Sequence, residues 1–293
     1  MAKTPLLRDV TRLRVVHRQR VTRQGDAELA PLFVAGNIAP DILGAAANGW
    51  QALLATEYES IVVAAWMTSA LTRIGAPLDF IGSFGRVVED EIRHVDLCAQ
   101  MVETFGGVPT IPTALPPPFP TGAATERAAH VEIISGMVSF FCVFEHLSGL
   151  VFAQAIEAAT DDKAKWALGE IFRDEAFHGA FGFETAKYYV PNWNHDERAA
   201  LAVRVVDDIQ RFERRLHGAL PIDEGLMSPQ LAALQGLGLL SPAPLLATFY
   251  GGVQTELLPR LREIGIDVAF GQGRPSGAGG VGGAGGSPAS SET

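Results

Sequence analysis

Three consecutive prolines, Pro116-Pro117-Pro118, sit in a stretch from Val108 to Gly122. That stretch cannot be helical, because proline lacks the amide hydrogen and its ring clashes with the preceding turn. On each side lies a pair of long segments with helical apolar periodicity. The first pair covers about Asp41–Ile74 and Leu78–Phe105, with Gly75-Ala76-Pro77 between them and Gly106-Gly107 after them. The second covers about Ala124–Ala159, then runs from an Asp161-Asp162 cap to about Val190, where Pro191 stops it. Two tight helical hairpins joined by one extended crossing have the connectivity of a four-helix bundle with one long crossover. No alternating strand pattern competes in this region.

The remainder of the chain adds helices to that bundle. Asp196–Leu220 is amphipathic, with Arg211, Arg214 and Arg215 on its polar side, and shorter helices are expected near Pro229–Leu237 and Pro242–Ile264. Apolar residues make up 47% and charged residues 19%, the balance of a packed globular chain. The expected fold is therefore all-α: a four-helix bundle over residues 37–191 and accessory C-terminal helices over 192–270. A basic N-terminal arm occupies 1–36, and over 271–293 a Gly, Ser, Ala and Pro composition predicts a disordered tail.

Charge and cysteine usage narrow the function classes. Net charge is −10, yet Lys3, Arg8, Arg12, Arg14, Arg18, Arg20 and Arg23 crowd the first 24 residues. That is read as a solvated or packed arm, or one that meets an acidic partner. Nothing else points to nucleic acid. Cys98 and Cys142 are isolated in apolar context, without disulfide or zinc spacing, which suits a reducing, cytoplasmic setting. The N-terminus is too polar for a secretory signal. The run from Gly136 to Ala153 approaches the length of a bilayer span, but Glu145 and His146 sit at its middle, where charge is costly. A buried helix is expected there, and no membrane contact.

The chemistry resides in two Glu-x-x-His motifs, Glu91-Ile92-Arg93-His94 and Glu175-Ala176-Phe177-His178. Residues three apart share a helix face, so each motif can offer a carboxylate and an imidazole to one ion. With 19 glutamates and 7 histidines, chance alone supplies about half of one such match. Position adds weight: each motif falls on the second helix of a hairpin, and each first helix carries a glutamate in apolar surroundings. Glu57 precedes Glu91 by 34 residues and Glu145 precedes Glu175 by 30, spacings that bring both pairs to one level in antiparallel hairpins.

Glu145 is the only acid between Ile133 and Ile156. An unpaired carboxylate there would cost several kcal/mol or be protonated, and a metal removes that penalty. A buried arginine or a helix end could do the same. Glu57 competes with Glu59, which points about 200° away on a helix; the apolar neighbours of Glu57 favour it.

The order Glu57, Glu91-x-x-His94, Glu145, Glu175-x-x-His178 resembles the ferritin-like di-iron carboxylate proteins, over about 150 residues from Trp50 to Pro191. Asp90-Glu91-Ile92-Arg93-His94 looks especially like hydroxylase subunits of bacterial multicomponent monooxygenases. Asp90 and Asp174 both precede a ligand glutamate, whereas Phe177 stands where the second arginine would be. The resemblance implies that Glu91 and Glu175 bridge two metals and that an Asp174–Arg93 contact orients His178. In some relatives a further histidine precedes the last glutamate by one turn; Ile171 occupies that position here.

Carboxylate-rich sites with one imidazole per metal suit iron, manganese or a mixed pair better than structural zinc. The expected function is an O₂-dependent non-haem di-iron oxidase or oxygenase. It would act on a small organic molecule by hydroxylation, N-oxidation or desaturation and draw electrons from a separate reductase or ferredoxin. Phe140, Phe141, Phe144 and Phe177 are expected to wall the site. Cys142 could line a pocket or pack as a core thiol, while His130 and His146 are expected outside the ligand set. The alternatives are a ferritin-type ferroxidase and a metal-free helical scaffold. A homodimer is the base-rate expectation for assembly.

Overall fold

Helix α1 (Pro40–Arg73) opens on a proline, whose missing amide is not needed in a first turn. It closes at Gly75, where φ of +66° lets the Ala76 amide donate to the Leu71 carbonyl at 3.0 Å. Helix α2 (Leu78–Thr104) follows Pro77 and ends before Gly106, which has φ of +84°. The computed structural model describes residues 4–5, 33, 38–112, 115, 125–219 and 228–270. The arm's basic residues, the triple proline and the tail expected over 271–293 lie outside the described residues. Two short strands, β1 (Thr4–Pro5) and β2 (Thr110–Ile111), pair antiparallel, although no strand is legible in so brief a pattern.

Helix α3 (Glu126–Ala158) is capped by Thr125, whose hydroxyl accepts from the Ala128 amide at 3.1 Å. Helix α4 (Asp162–Tyr189) is capped by Asp161, whose carboxylate accepts from the Ala164 amide at 2.8 Å. Helix α5 (His195–Ala219) starts with a reciprocal cap, in which Asn194 and Glu197 each accept the other's amide at 2.9 Å. Helix α6 (Ser228–Gly236) and a last helix, α7, follow; α7 runs through Pro242–Gly252, Val253–Leu257 and Leu258–Glu263. The described residues are thus essentially all helical.

Helix α1 packs along α2, and α3 along α4; α2 then meets α4, and α1 meets α3, so the hairpins face one another. Their buried side chains form two apolar clusters. One gathers Trp50, Leu54, Met101, Leu168 and Ile171; the other gathers Met67, Phe84, Phe141, Phe183 and Phe249. On α2 and α4 the buried residues between the two clusters include the acids and imidazoles Asp90, Glu91, His94, Asp174, Glu175 and His178. By length and composition α3 could cross a membrane, but 61% of its most apolar window is buried within the protein. Its hydrophobicity serves helix packing.

Candidate metal centre

Antiparallel pairing brings Glu57, Glu91, His94, Glu145, Glu175 and His178 to a single level. Glu91, His94 and His178 are wholly buried, and the other three are at most 4% exposed. Their donor atoms form two overlapping groups, each within 4.8 Å: Glu57, Glu91, His94 and Glu175 in one, and Glu91, Glu145, Glu175 and His178 in the other. Glu91 and Glu175 belong to both. Glu59, the competing first-helix acid, lies at the surface and takes a hydrogen bond from Arg215 at 2.7 Å.

Both imidazoles turn Nδ1 inward. His94 Nδ1 lies 3.2 Å from Glu57, 3.3 Å from Glu91 and 3.4 Å from Glu175. His178 Nδ1 lies 3.2 Å from Glu91 and 3.4 Å from Glu145. The opposite nitrogens meet aspartates: His94 Nε2 is 3.4 Å from Asp174, and His178 Nε2 is 3.5 Å from Asp90. An aspartate accepting from Nε2–H selects the tautomer with its Nδ1 lone pair toward the centre, the usual arrangement behind a metal-bound histidine.

This crossed pattern corrects the expected role of Asp174. It does contact Arg93, at 3.6 Å, but it orients His94, while Asp90 orients His178. The reason is that α2 and α4 lie antiparallel. The residue before each ligand glutamate therefore faces the histidine of the other helix.

The outer layer holds three arginines. Arg93 donates to Glu170 at 2.5 Å, and Arg173 binds the other Glu170 oxygen at 2.5 Å. Arg86, whose side chain is 53% exposed, reaches Asp90 at 3.3 Å and Asp174 at 3.9 Å while its guanidinium lies 4.2 Å from the Phe177 ring centre. The cation missing at Phe177 is thus supplied one helix away. An Arg86-x-x-x-Asp90 pair was visible in the sequence, but its reach to Asp174 was not.

The aromatic walls also differ from expectation. Phe141 packs edge-on against Phe84 at 4.7 Å, both on ligand-bearing faces. Phe144 instead turns toward α5, against Phe212 and beneath Arg215, and stacks with Phe140. Adjacent residues on a helix point about 100° apart, so Phe144 cannot share the direction of Glu145. Cys142 is a buried core thiol. His146 accepts from Arg260 at 3.2 Å and His130 packs on Tyr189, so neither joins the cluster.

One local feature escaped the periodicity. Residues Val138–Glu145 are π-helical, and Glu145 ends that segment. A π turn inserts a residue and rotates the helix beyond it, and such insertions recur at functional sites. Ser139 anchors it, donating to the Ser135 carbonyl at 3.0 Å and accepting from Arg204 at 2.6 Å. Gly182 on α4 makes room for it: a Cβ there would lie 2.5 Å from the Phe141 Cβ.

The protonation pattern follows from burial and the crowding of like charges. Burial pushes Glu57 up to about 7 and Glu175 well above its ordinary range, with neighbouring carboxylates adding to the rise. Burial also disfavours charge on the histidines, yet surrounding carboxylates hold both well above their usual value. Glu91, despite burial, is drawn down to about 2 by the two imidazoles. Neither Glu91 oxygen, nor Glu175 Oε2, has a hydrogen bond of acceptable geometry. Two divalent cations would balance four glutamates, occupy these oxygens and release the imidazole protons. The donor set fits metal on chemical grounds. Comparison with protein-family models, curated proteins and solved structures returned no match for this chain.

Proposed function

We propose that the chain is a ferritin-like carboxylate-bridged di-iron protein and an O₂-dependent oxidase or oxygenase of a small organic substrate. One observation carries this reading: two four-residue donor groups overlap in Glu91 and Glu175. Glu91 and Glu175 would be shared between two cations, with Glu57 and His94 completing one donor group and Glu145 and His178 the other. Iron or manganese is favoured over zinc by this oxygen-rich set, and few protein ligands per ion leave positions open to small molecules. Iron bound there supplies the redox chemistry that couples dioxygen reduction to oxidation of the substrate.

The chain's own residues prepare that chemistry. Asp90 and Asp174 keep the imidazoles oriented, and Arg86 and Arg93 hold those aspartates. Ser60 donates to Glu145 at 3.5 Å, which steadies the terminal carboxylate of the second group. Apolar clusters above and below exclude water from the donor layer, which strengthens its electrostatics. Electrons would come from a separate reductase or ferredoxin in the cytoplasm.

The test is elemental analysis of chain expressed with added iron, beside Glu145→Ala and His178→Ala. About two irons per chain, lost in folded variants, is the expected result. Wild type that takes up neither iron nor manganese after anaerobic loading would overturn the reading. Substrate-independent iron storage in a large assembly would identify a ferroxidase instead.

A further inference from the structure

A cavity of about 170 Å³ lies beside the donor layer, between α1, α3 and α4 and beneath the segment linking α6 to α7. Its position follows from the helix registers. Leu53 precedes Glu57 by four residues, Phe152 follows Glu145 by seven, and Leu168 precedes Glu175 by seven. Each shares a face with its glutamate, so these walls stand about 6–10 Å from the carboxylates along the bundle axis.

The wall chemistry is one-sided. Among the described residues no charged side chain lines the cavity, and only two hydroxyls do. Both are engaged locally: Thr56 donates to the Ala52 carbonyl at 3.2 Å, and Ser241 accepts from Gln235 at 3.1 Å. A charged ligand entering there would lose its hydration without compensation.

The cap is fixed to the bundle. Trp50 Nε1 donates to the Leu237 carbonyl at 3.0 Å, and the Thr160 and Asp161 amides donate to the Gly236 carbonyl at 3.0 and 2.9 Å. Leu239 sits directly over Gly49, where a Cβ would collide with it. Gly238 takes φ of +88°, a conformation that glycine alone adopts without strain, and lies against Leu168 and Trp50. A pre-formed cap avoids the ordering cost that a mobile one would charge to binding.

We infer that this cavity binds an uncharged, apolar molecule or apolar substrate group about the size of benzene, with Leu239 over Gly49 setting its depth. An apolar cavity near 150 Å³ accepts benzene, whereas drug-sized pockets begin at about 300 Å³. Entry is on the α1 side, where Ala52 and Thr56 are exposed, and away from Arg86 on the α2–α4 face. Assigning the occupant as the organic substrate rests on the oxygenase reading; the binding itself does not.

The experiment titrates benzene into the full chain without added metal and follows the unfolding temperature, which rises with a ligand that binds only the folded state. Benzoate, of similar size but charged, is the comparator. Two variants obstruct the cavity: Ala155→Phe fills its buried wall, and Ala52→Trp covers its exposed rim. The expected result is a saturable rise with benzene, none with benzoate at equal concentration, and at least tenfold weaker binding in each folded variant. If Ala155→Phe fails to fold, Ala52→Trp decides alone. Absence of a rise in wild type, undiminished binding in a folded variant, or benzoate binding as tightly as benzene would overturn the inference. Loss of the iron reading with benzene binding intact would remove the oxygenase and leave the pocket; the reverse would remove only the pocket.

Discussion

Gly182 and Gly169 lie on the same helix, yet alanine at each should move stability in opposite directions. At Gly169 no atom lies within 4 Å of an added Cβ. Gly169→Ala should therefore stabilise the chain by up to about 1 kcal/mol, the helix-propensity difference. At Gly182 the new Cβ would lie 2.5 Å from the Phe141 Cβ, 3.1 Å from the Phe141 carbonyl carbon and 3.3 Å from the Cys142 amide nitrogen. These are backbone and Cβ atoms, so no rotamer change relieves the contact, and α3 must move away from α4. Overpacking of this kind costs about 1–3 kcal/mol. The same propensity gain offsets part of it, so the difference between the two variants reads the overpacking cost directly. Urea unfolding at unchanged m-value measures that difference as a shift in midpoint. The movement has a second consequence. Phe141 is one turn before Glu145 in the π segment, and Gly182 is one turn after His178. Separating α3 from α4 there pulls Glu145 from His178, and Gly182→Ala should take up less added metal than wild type. Equal stability of the two variants, with full metal content in both, would refute the account of Gly182 as the residue that seats the π segment.

Two further outcomes rest on contacts outside the donor groups. Burial alone would raise the Glu170 carboxyl, but Arg173 and Arg93 hold it below its ordinary value near 4.5. Its stabilising contribution is therefore complete above about pH 4.5 and fades as pH falls through the lowered value. Glu170→Gln should cost about 1–3 kcal/mol at neutral pH, and denaturant titrations should show the gap to wild type narrowing in acid; a gap independent of pH would contradict the pairing. Trp50→Phe removes the donor to the Leu237 carbonyl, a buried bond between α1 and the residue after α6. It should lower stability by about 1–3 kcal/mol and raise amide exchange in α6 ahead of α2; uniform exchange would show that this bond does not fasten the cap.

Much of this protein is determined by local sequence. Pro40, Pro77 and the positive-φ glycines Gly75 and Gly106 bound the first hairpin where turn chemistry requires. The Asp161 cap starts α4 at the expected residue. The level arrangement of Glu57, Glu91, Glu145 and Glu175 follows from helix rise and short turns, which is why six residues spread over 122 positions could be named together. Proline and glycine limits, helical period and hairpin register are properties of neighbouring residues.

Tertiary structure decided what depends on residues distant in the chain. Asp174 meets His94 across 80 residues and Asp90 meets His178 across 88, a crossing that no single-helix pattern encodes. Glu59 leaves the core for Arg215, 156 residues later. The π segment is apolar apart from Ser139 and Glu145, so hydrophobic periodicity carries no mark of its inserted residue; it becomes visible only where Gly182 admits it. The cavity likewise exists because α6 and its link to α7 fold back over α1. A sequence contains the donors of such contacts, but which donor meets which acceptor is settled by packing, since burial leaves a charged side chain stable only where a partner from another helix arrives.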